Sequence, residues 1–149
     1  MPDPHVDRVS PLVVEIRPDV HDLAFLEERL AEAAIAAVGI GEEHEFGIFV
    51  RSDDGDEGRI QAGVFGSVWG GCCQVHALWV DEPLRGSGLA RALMAGAEDE
   101  ARRQGCRLLM GLTYAALTGD FYDRLGYRIV GALENCPDTT TTRWYAKDL

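Results

Sequence analysis

Apolar and polar residues alternate along this chain with two different periods, and each period predicts one kind of element. Alternation with a period of two predicts seven strands, since successive side chains of a strand point to opposite faces. The predicted strands lie at about residues 12–17, 45–52, 59–69, 72–80, 107–113, 127–133 and 141–147. Apolar residues three and four positions apart predict three helices. These helices lie between Asp19 and Gly39, at about 86–104 and at roughly 116–125.

The first predicted helix has defined ends and an apolar stripe. Asp19 is the expected N-cap, because its carboxylate can accept a hydrogen bond from an unpartnered amide of the first turn. Gly39 and Gly41 are expected to end the helix. The stripe is expected to be buried and consists of Leu23, Leu26, Leu30, Ala34 and Ala37.

The order of the elements predicts an α/β (α+β) protein. A strand and a helix come first, followed by three antiparallel strands, a helix, a strand, a short helix and two strands. Residues 11–149 have the length of one domain with its own core. Residues 1–10 contain two prolines and two aspartates without an apolar segment, so we predict a flexible tail.

The loop between the fourth predicted strand and the second predicted helix reads Arg-Gly-Ser-Gly at residues 85–88. The first amides of a helix have no partner within it, and its N-terminus carries about half a positive charge. Because glycines let an anion approach the backbone, this pattern favours phosphate binding. The loop lacks the dinucleotide-binding and NTPase phosphate-loop patterns. An ordinary tight turn into the helix is the alternative.

Composition narrows the range of partners. The net charge of −11 argues against nucleic acid and favours a cationic or neutral small molecule, although such charge also serves solubility. No apolar run reaches the roughly 20 residues of a membrane span, so we expect a cytoplasmic protein without a membrane partner. The four cysteines lack the spacing of a zinc site, so we predict free thiols and no metal.

Two motifs on the predicted elements resemble those of the GNAT superfamily of acyl-CoA-dependent N-acyltransferases, in particular its bacterial single-domain N-acetyltransferases. Arg-x-x-Gly-x-Ala at residues 85–90 is similar to the family's acyl-CoA pyrophosphate loop. Phe-Tyr-x-x-x-Gly-Tyr at residues 121–127 is similar to a second family segment. The order of elements agrees from end to end. The resemblance implies the GNAT fold, with helices on both faces of a mixed central sheet of about seven strands and a splay between the fourth and fifth strands.

The resemblance also implies acetyl-CoA as cosubstrate. The backbone amides of residues 86–90, with Arg85 beside them, would hold the pyrophosphate, and Leu78 and Val80 would bind the pantetheine arm through their backbone. Strand parity places Trp79 in the core, with the wall of the site as the alternative. The cofactor-binding residues implied in this way are Leu78, Trp79, Val80, Arg85, Gly86, Ser87, Gly88, Leu89 and Ala90.

Tyr122 resembles the family's general acid, which would protonate the departing CoA thiolate. A tyrosine that only packs beside Phe121 is the alternative. An attacking primary amine must also lose a proton. Strand parity places Gln74 and His76 on the cofactor side, and His76 titrates in the right range to act as the base. The alternatives are Glu82, a chain of water molecules, or a histidine that only packs.

Departures from the family's pattern leave the acceptor open. Ala115 and Thr118 stand where many relatives have asparagine and alanine, and residues 136–140 replace a Pro-x-Gly-His loop. We expect transfer of an acetyl group from acetyl-CoA to the primary amine of a small cationic acceptor, by direct attack in a ternary complex. Carboxylates expected in loops near the site are Glu42, Glu43, Glu134 and Asp138.

Three other functions fit the same residues. One is a non-catalytic module that senses acyl-CoA, and another is acetylation of a protein or peptide amine. The third is a nucleotide-phosphate binder of unrelated fold. The exposed final hairpin also makes a homodimer compatible with the pattern.

Overall fold

The computed structural model of the chain describes residues 11–53 and 58–149. The predicted tail at residues 1–10 and most of the turn at residues 53–58 lie outside the described residues. Contacts within the chain divide it into two units, Met1–Gly39 and Ile40–Leu149. The single domain over residues 11–149 therefore stays a prediction.

The first unit contains helix α1, Val20–Val38. The Asp19 carboxylate accepts a hydrogen bond from the His21 amide at 2.8 Å, and Gly39 ends the helix in the left-handed conformation. Both predicted ends are thereby confirmed. None of the residues of α1 is buried, so the prediction of a buried stripe was wrong. Helical periodicity identifies an apolar face, but it does not identify a surface that covers that face.

Residues 12–17 form no strand, so the first predicted strand was wrong. The described part of the chain has six strands rather than seven. Alternation makes a segment amphipathic when it is extended, but a strand exists only through hydrogen bonds to a neighbouring strand. A local pattern does not specify that neighbour.

The second unit is built on one six-stranded sheet. Its strands are β1 His44–Arg51, β2 Ile60–Trp69, β3 Cys72–Val80, β4 Leu108–Tyr114, β5 Arg128–Glu134 and β6 Thr141–Asp148. They lie in the order β1-β2-β3-β4-β6-β5. β3 and β4 are parallel and the other neighbouring pairs are antiparallel, which confirms the predicted mixed sheet.

The helices of the second unit are α2 Leu89–Arg103, α3 Ala115–Thr118 and α4 Phe121–Arg124. α2 begins later than predicted because Gly86 and Gly88 adopt left-handed φ angles of 77° and 88°. The predicted single helix at 116–125 is divided at Gly119, whose φ of 51° and ψ of −120° favour glycine. Across residues 11–53 and 58–149, no helix is long and apolar enough to cross a membrane.

α2 packs across β1, β2 and β3 and buries one of its faces in the core. The apolar residues buried on this face are Leu93, Met94, Ala97 and Ala101. Glu98 is buried with them, and its carboxylate accepts hydrogen bonds from the Tyr127 hydroxyl at 3.0 Å and the Lys147 ammonium at 2.9 Å. A buried charge needs such partners, and these two tie α2 to the sheet.

β3 contains a β-bulge at His76. Val75 pairs with Gly66 of β2 and Ala77 pairs with Phe65, so His76 is an extra residue of β3. Gly66 is required beside the bulge, because an added Cβ would lie 2.6 Å from a backbone oxygen of β3.

The bulge reverses the face to which the following side chains of β3 point. Before the bulge, Cys73 and Val75 are buried; after it, Val80 is buried and Trp79 is exposed. The predicted parity, with the even-numbered residues of 74–80 on one face, was therefore wrong. Period-two reasoning assumes an unbroken strand, and the inserted residue removes that condition.

Candidate active site

The parallel strands β3 and β4 pair over only half of their length. Residues 72–75 of β3 pair with residues 108–111 of β4, whereas residues 76–80 and 112–114 do not pair with each other. This opening confirms the predicted splay. On the side that faces β4, the backbone groups of residues 76–80 therefore have no strand partner, although the Val80 oxygen already accepts a hydrogen bond from Arg85.

A cavity of about 640 Å³, called here the larger cavity, lies between the separated ends of β3 and β4. Its walls are residues 75–80 of β3, Arg85, Ala90, residues 112–114 of β4, Leu117 and Thr118 of α3, and Phe121 and Tyr122. Among the residues that the structure describes, no carboxylate lines it. The cavity therefore offers a largely apolar surface with few polar groups.

A second cavity of about 430 Å³, called here the smaller cavity, lies at the start of α2. The loop residues 84–86 and the helix start at 88–91 form one wall, and α4 contributes to the other. Val80, Arg85, Ala90 and Phe121 line both cavities. The two cavities therefore adjoin, and one extended ligand could occupy both.

The backbone amides at the start of α2 are open to a ligand. Within the described ranges, no protein acceptor is found for the amides of residues 86–91. The helix has no side-chain cap and no acidic residue in its first turn. An added Cβ on Gly86 or Gly88 would meet no atom within 4 Å, so the space above the backbone is empty. This is the arrangement of an anion site.

Side chains around the smaller cavity favour an anion as well. Arg85 lines it and donates from Nε to the backbone oxygen of Val80 at 3.1 Å. Arg91 and Arg124 also line this cavity. Sequence reasoning missed these two, although Arg91 lies in the first turn of the predicted helix beside the motif. The predicted residue Ser87 does not line the cavity; its hydroxyl donates to the oxygen of Leu84.

Tyr122 lines the larger cavity and is held by a cluster of aromatic rings. Its ring stacks on Tyr145 with the centroids 5.0 Å apart, and it meets Phe121 and Tyr127 edge to face. Burial, and next the nearby Tyr145, raise the pKa of Tyr122 above its usual value near 10. Its hydroxyl makes no hydrogen bond to another described residue. Tyr122 thus keeps its proton at neutral pH and can donate it into the cavity.

His76 also lines the larger cavity, from its place in the bulge. Its Nε2 lies 2.8 Å from the Ser67 hydroxyl, and its ring packs on Phe65 with the centroids 5.2 Å apart. The other groups considered for proton removal, Gln74 and Glu82, line neither cavity. The structure thus brings His76 and Tyr122 to one cavity.

Trp79 is 47% exposed and lines the larger cavity, so its predicted place in the core was wrong. The bulge is the reason, because it turns this side chain to the opposite face. Leu78 and Val80, whose backbone is expected to bind the pantetheine arm, line the same cavity.

Some of the positions that depart from the family's pattern line a cavity, and others lie outside both cavities. Thr118 lines the larger cavity, whereas Ala115 lines neither cavity. The carboxylates expected near the site also line neither cavity; these are Glu42, Glu43, Glu134 and Asp138.

Comparisons with known proteins agree on one family. Residues 11–127 match the model of the acetyltransferase (GNAT) family. The chain is 30% identical to acetyltransferase Atu2258 of Agrobacterium fabrum over 125 residues, which cover 82% of this chain and 87% of that protein. It is 34% identical to blasticidin-S acetyltransferase of Streptomyces morookaense over 96 residues, which cover 64% and 71%. A crystal structure of an acetyltransferase from Bacillus cereus superposes with a TM-score of 0.77 at 23% identity, covering 92% and 98%.

Proposed function

This chain belongs to the acetyltransferase (GNAT) family, and we propose that it transfers an acetyl group from acetyl-CoA to the primary amine of a small acceptor. The observation that carries this proposal is the continuity of the two cavities. An anion site at the start of α2 adjoins an apolar opening between β3 and β4, and Tyr122 stands in the wall of that opening. A phosphate-bearing thioester needs these three features in this order.

The chain would bind acetyl-CoA mainly through its backbone. The unpartnered amides at residues 86–90, with the guanidinium of Arg85, would hold the pyrophosphate. The free edge of β3 at residues 76–80 would pair with the amide groups of the pantetheine arm, like an added strand. Neither contact depends on a particular side chain of β3.

Tyr122 is the proposed general acid. The amine nitrogen attacks the thioester carbonyl carbon and loses a proton to water, the carbon–sulfur bond breaks, and the leaving thiolate accepts the hydroxyl proton of Tyr122, which water then restores. The raised pKa keeps that proton in place until the thiolate forms. Because a thiol has a pKa of about 8.5, full transfer from the phenol is uphill, and the hydrogen bond therefore acts chiefly on the developing charge of the sulfur.

His76 is the second proposed catalytic residue, since its imidazole lines the same cavity. The sequence suggested that it removes the proton of the amine. A base needs a free lone pair on a ring nitrogen, and the direction of the hydrogen bond between Nε2 and Ser67 decides which nitrogen carries the proton.

The proposed acceptor is a small amine of cationic overall charge. The net charge of −11 attracts cations to the protein, whereas the larger cavity has no carboxylate among its described lining residues. Such a cavity disfavours a charged ammonium and favours the neutral amine that reacts. Blasticidin S belongs in the trial panel because one relative is a blasticidin-S acetyltransferase.

The test is thiol release from acetyl-CoA by the purified protein, with polyamines, aminoglycosides, amino acids, a lysine-containing peptide and blasticidin S as acceptors. Calorimetry with acetyl-CoA and ATP accompanies the assay, and a reaction without amine is the blank. We expect tight binding of acetyl-CoA and amine-dependent thiol release. Acetyl-CoA binding without turnover would instead favour a sensor, turnover with the peptide alone would favour a protein acceptor, and tighter binding of ATP would refute the assignment.

A further inference from the structure

The hydroxyl of Ser67 contacts the ring of His76 from inside the protein. Ser67 lies in β2 and is completely buried, with 0% of its surface exposed. Its Oγ is 2.8 Å from Nε2 of His76. Within residues 11–53 and 58–149, this is the only hydrogen bond recorded for the Ser67 hydroxyl.

The bulge is what brings the two side chains together. As the extra residue of β3, His76 has no directly opposite partner in β2. The Phe65 ring lies against the imidazole, at 36° and 5.2 Å between centroids. Ser67 contacts Nε2 and Phe65 packs against the ring of the exposed His76, so Nδ1 is the ring nitrogen that stays available to a ligand.

The direction of this hydrogen bond follows from the burial of Ser67. A hydroxyl carries one proton to donate, and a buried donor without an acceptor is unfavourable. If His76 donated from Nε2, the Ser67 proton would have no recorded acceptor among the described residues. If Ser67 donates, its proton is satisfied by Nε2. Neutral imidazole carries one proton, which must then be on Nδ1.

We propose that Ser67 is a positioning residue that holds neutral His76 in the Nδ1–H form, so that His76 donates a hydrogen bond into the larger cavity. This inference rests on the proposed acetyl transfer. The natural acceptor is the thioester carbonyl oxygen, which gains negative charge when the amine attacks. The Nδ1–H bond stays intact, and the amine loses its proton to water. In this role His76 stabilises the intermediate and does not act as the base.

The direct test is the protonation state of the His76 ring nitrogens, read from a long-range proton–nitrogen spectrum of the ¹⁵N-labelled protein near pH 8. The His76→Gln variant identifies the signals among the four histidines. We expect a protonated Nδ1 and an unprotonated Nε2 that accepts a hydrogen bond. A proton on Nε2 of the wild-type protein would overturn the proposal, whether or not the protein is active.

Kinetics of Ser67 variants give the second test. Ser67→Ala should lower kcat about tenfold with the KM for acetyl-CoA within twofold, because the ring loses the contact that fixes its protonated nitrogen. Ser67→Thr keeps a hydroxyl and should recover most of the loss. The matched control is Ser52→Ala, since the Ser52 hydroxyl is buried without a recorded partner and lies outside both cavities.

The results distinguish failure of the positioning role of Ser67 from failure of the proposed acetyl transfer. An unchanged kcat in Ser67→Ala, with turnover intact in the wild type, would remove the positioning role. Absence of amine-dependent turnover in the wild type would sink the proposed function, and the nitrogen spectrum would still decide the form of His76. If Ser67→Ala did not fold, the wild-type spectrum and the Ser67→Thr variant would decide.

Discussion

The two ends of the strand pair β3 and β4 differ in backbone pairing. At one end, residues 72–75 and 108–111 are paired, and Lys147, opposite Leu109 in β6, binds the buried carboxylate of Glu98. At the other end the strands are unpaired and a cavity lies between them. Pairing satisfies the backbone within the protein at the first end, whereas the second end leaves it to a ligand.

Two neighbouring tyrosines show the same contrast. Tyr122 and Tyr127 touch edge to face at 5.5 Å, and burial is the main cause that raises the pKa of each. The Tyr127 hydroxyl donates to Glu98 at 3.0 Å, whereas Tyr122 lines a cavity wall and its hydroxyl has no protein partner among the described residues. Burial is therefore common to both tyrosines, and the hydroxyl without a protein partner distinguishes Tyr122, the proposed acid.

The largest expected effect comes from removing the accessible hydroxyl. Tyr122→Phe keeps the ring stacked on Tyr145 but removes the proton offered to the thiolate. We expect kcat to fall about 10²- to 10⁴-fold, with the dissociation constant of acetyl-CoA within twofold. Thiol-release kinetics and calorimetry measure the two quantities.

Tyr127→Phe is the matched control for this experiment, because it removes a hydroxyl from the adjacent ring at the paired end. It should lower the free energy of unfolding by about 1 kcal/mol and change kcat only slightly. A large loss of kcat in Tyr127→Phe, with activity kept in Tyr122→Phe, would contradict the contrast between the two residues.

The next effect is on stability at the paired end. Glu98→Leu removes the partner of Lys147 and leaves the Tyr127 hydroxyl without its acceptor. We expect the free energy of unfolding to fall by about 2–3 kcal/mol in urea titrations, less than for a fully buried pair because Lys147 retains some exposure. Asp99→Ala, which removes an exposed partner of Arg102, should cost less than about 0.5 kcal/mol. Equal losses in the two variants would refute a special role of the buried pair.

A smaller effect distinguishes weakened ligand binding from backbone strain, by comparing alanine substitutions at two glycines with left-handed φ angles. Gly88 at the start of α2 and Gly105 after its end have φ angles of 88° and 77°, and an added Cβ meets no atom at either position. Alanine should therefore cost about 1–2 kcal/mol of stability at each. Only Gly88→Ala places a methyl group in the smaller cavity, so it alone should weaken acetyl-CoA binding, about tenfold by calorimetry. Similar losses of affinity in both variants would place the anion elsewhere.

Prediction from the sequence succeeded where the signal is local. The Asp19 cap, the bounds of β3 and the open amides after Arg85 each depend on a few adjacent residues. The splay between β3 and β4 could be expected only through resemblance to a family, because no residue pattern along a strand shows where its neighbour leaves it.

The failures share a dependence on distant partners. The bulge at His76 exists through pairing with Gly66 and Phe65, and it misdirected the prediction for Trp79. The Ser67 contact joins two strands and follows from that same bulge, so no spacing along the chain could reveal it. The bond between Glu98 and Lys147 spans 49 positions. Periodicity says which side chains share a face only while each strand keeps its register.

The smallest expected effect is a loss of stability at alkaline pH, which originates at the paired end of β3 and β4. Cys73 is buried there, and desolvation, with smaller contributions from Cys106 and other neighbours, raises the pKa of its thiol to about 12. The folded protein therefore holds this proton at pH values where the unfolded chain, with a thiol pKa near 9, has lost it. The unfolded state then binds fewer protons, so stability is fully present below about pH 9 and is lost as the pH rises towards 12. Between pH 8 and 10 this one thiol should lower the free energy of unfolding by about 1 kcal/mol.

Urea titrations at the two pH values measure the loss. Cys73→Ala should reduce the loss, whereas Cys136→Ala, which removes an exposed thiol, should leave it unchanged. An identical loss in the wild type and Cys73→Ala would show that the paired end does not shield this thiol from water.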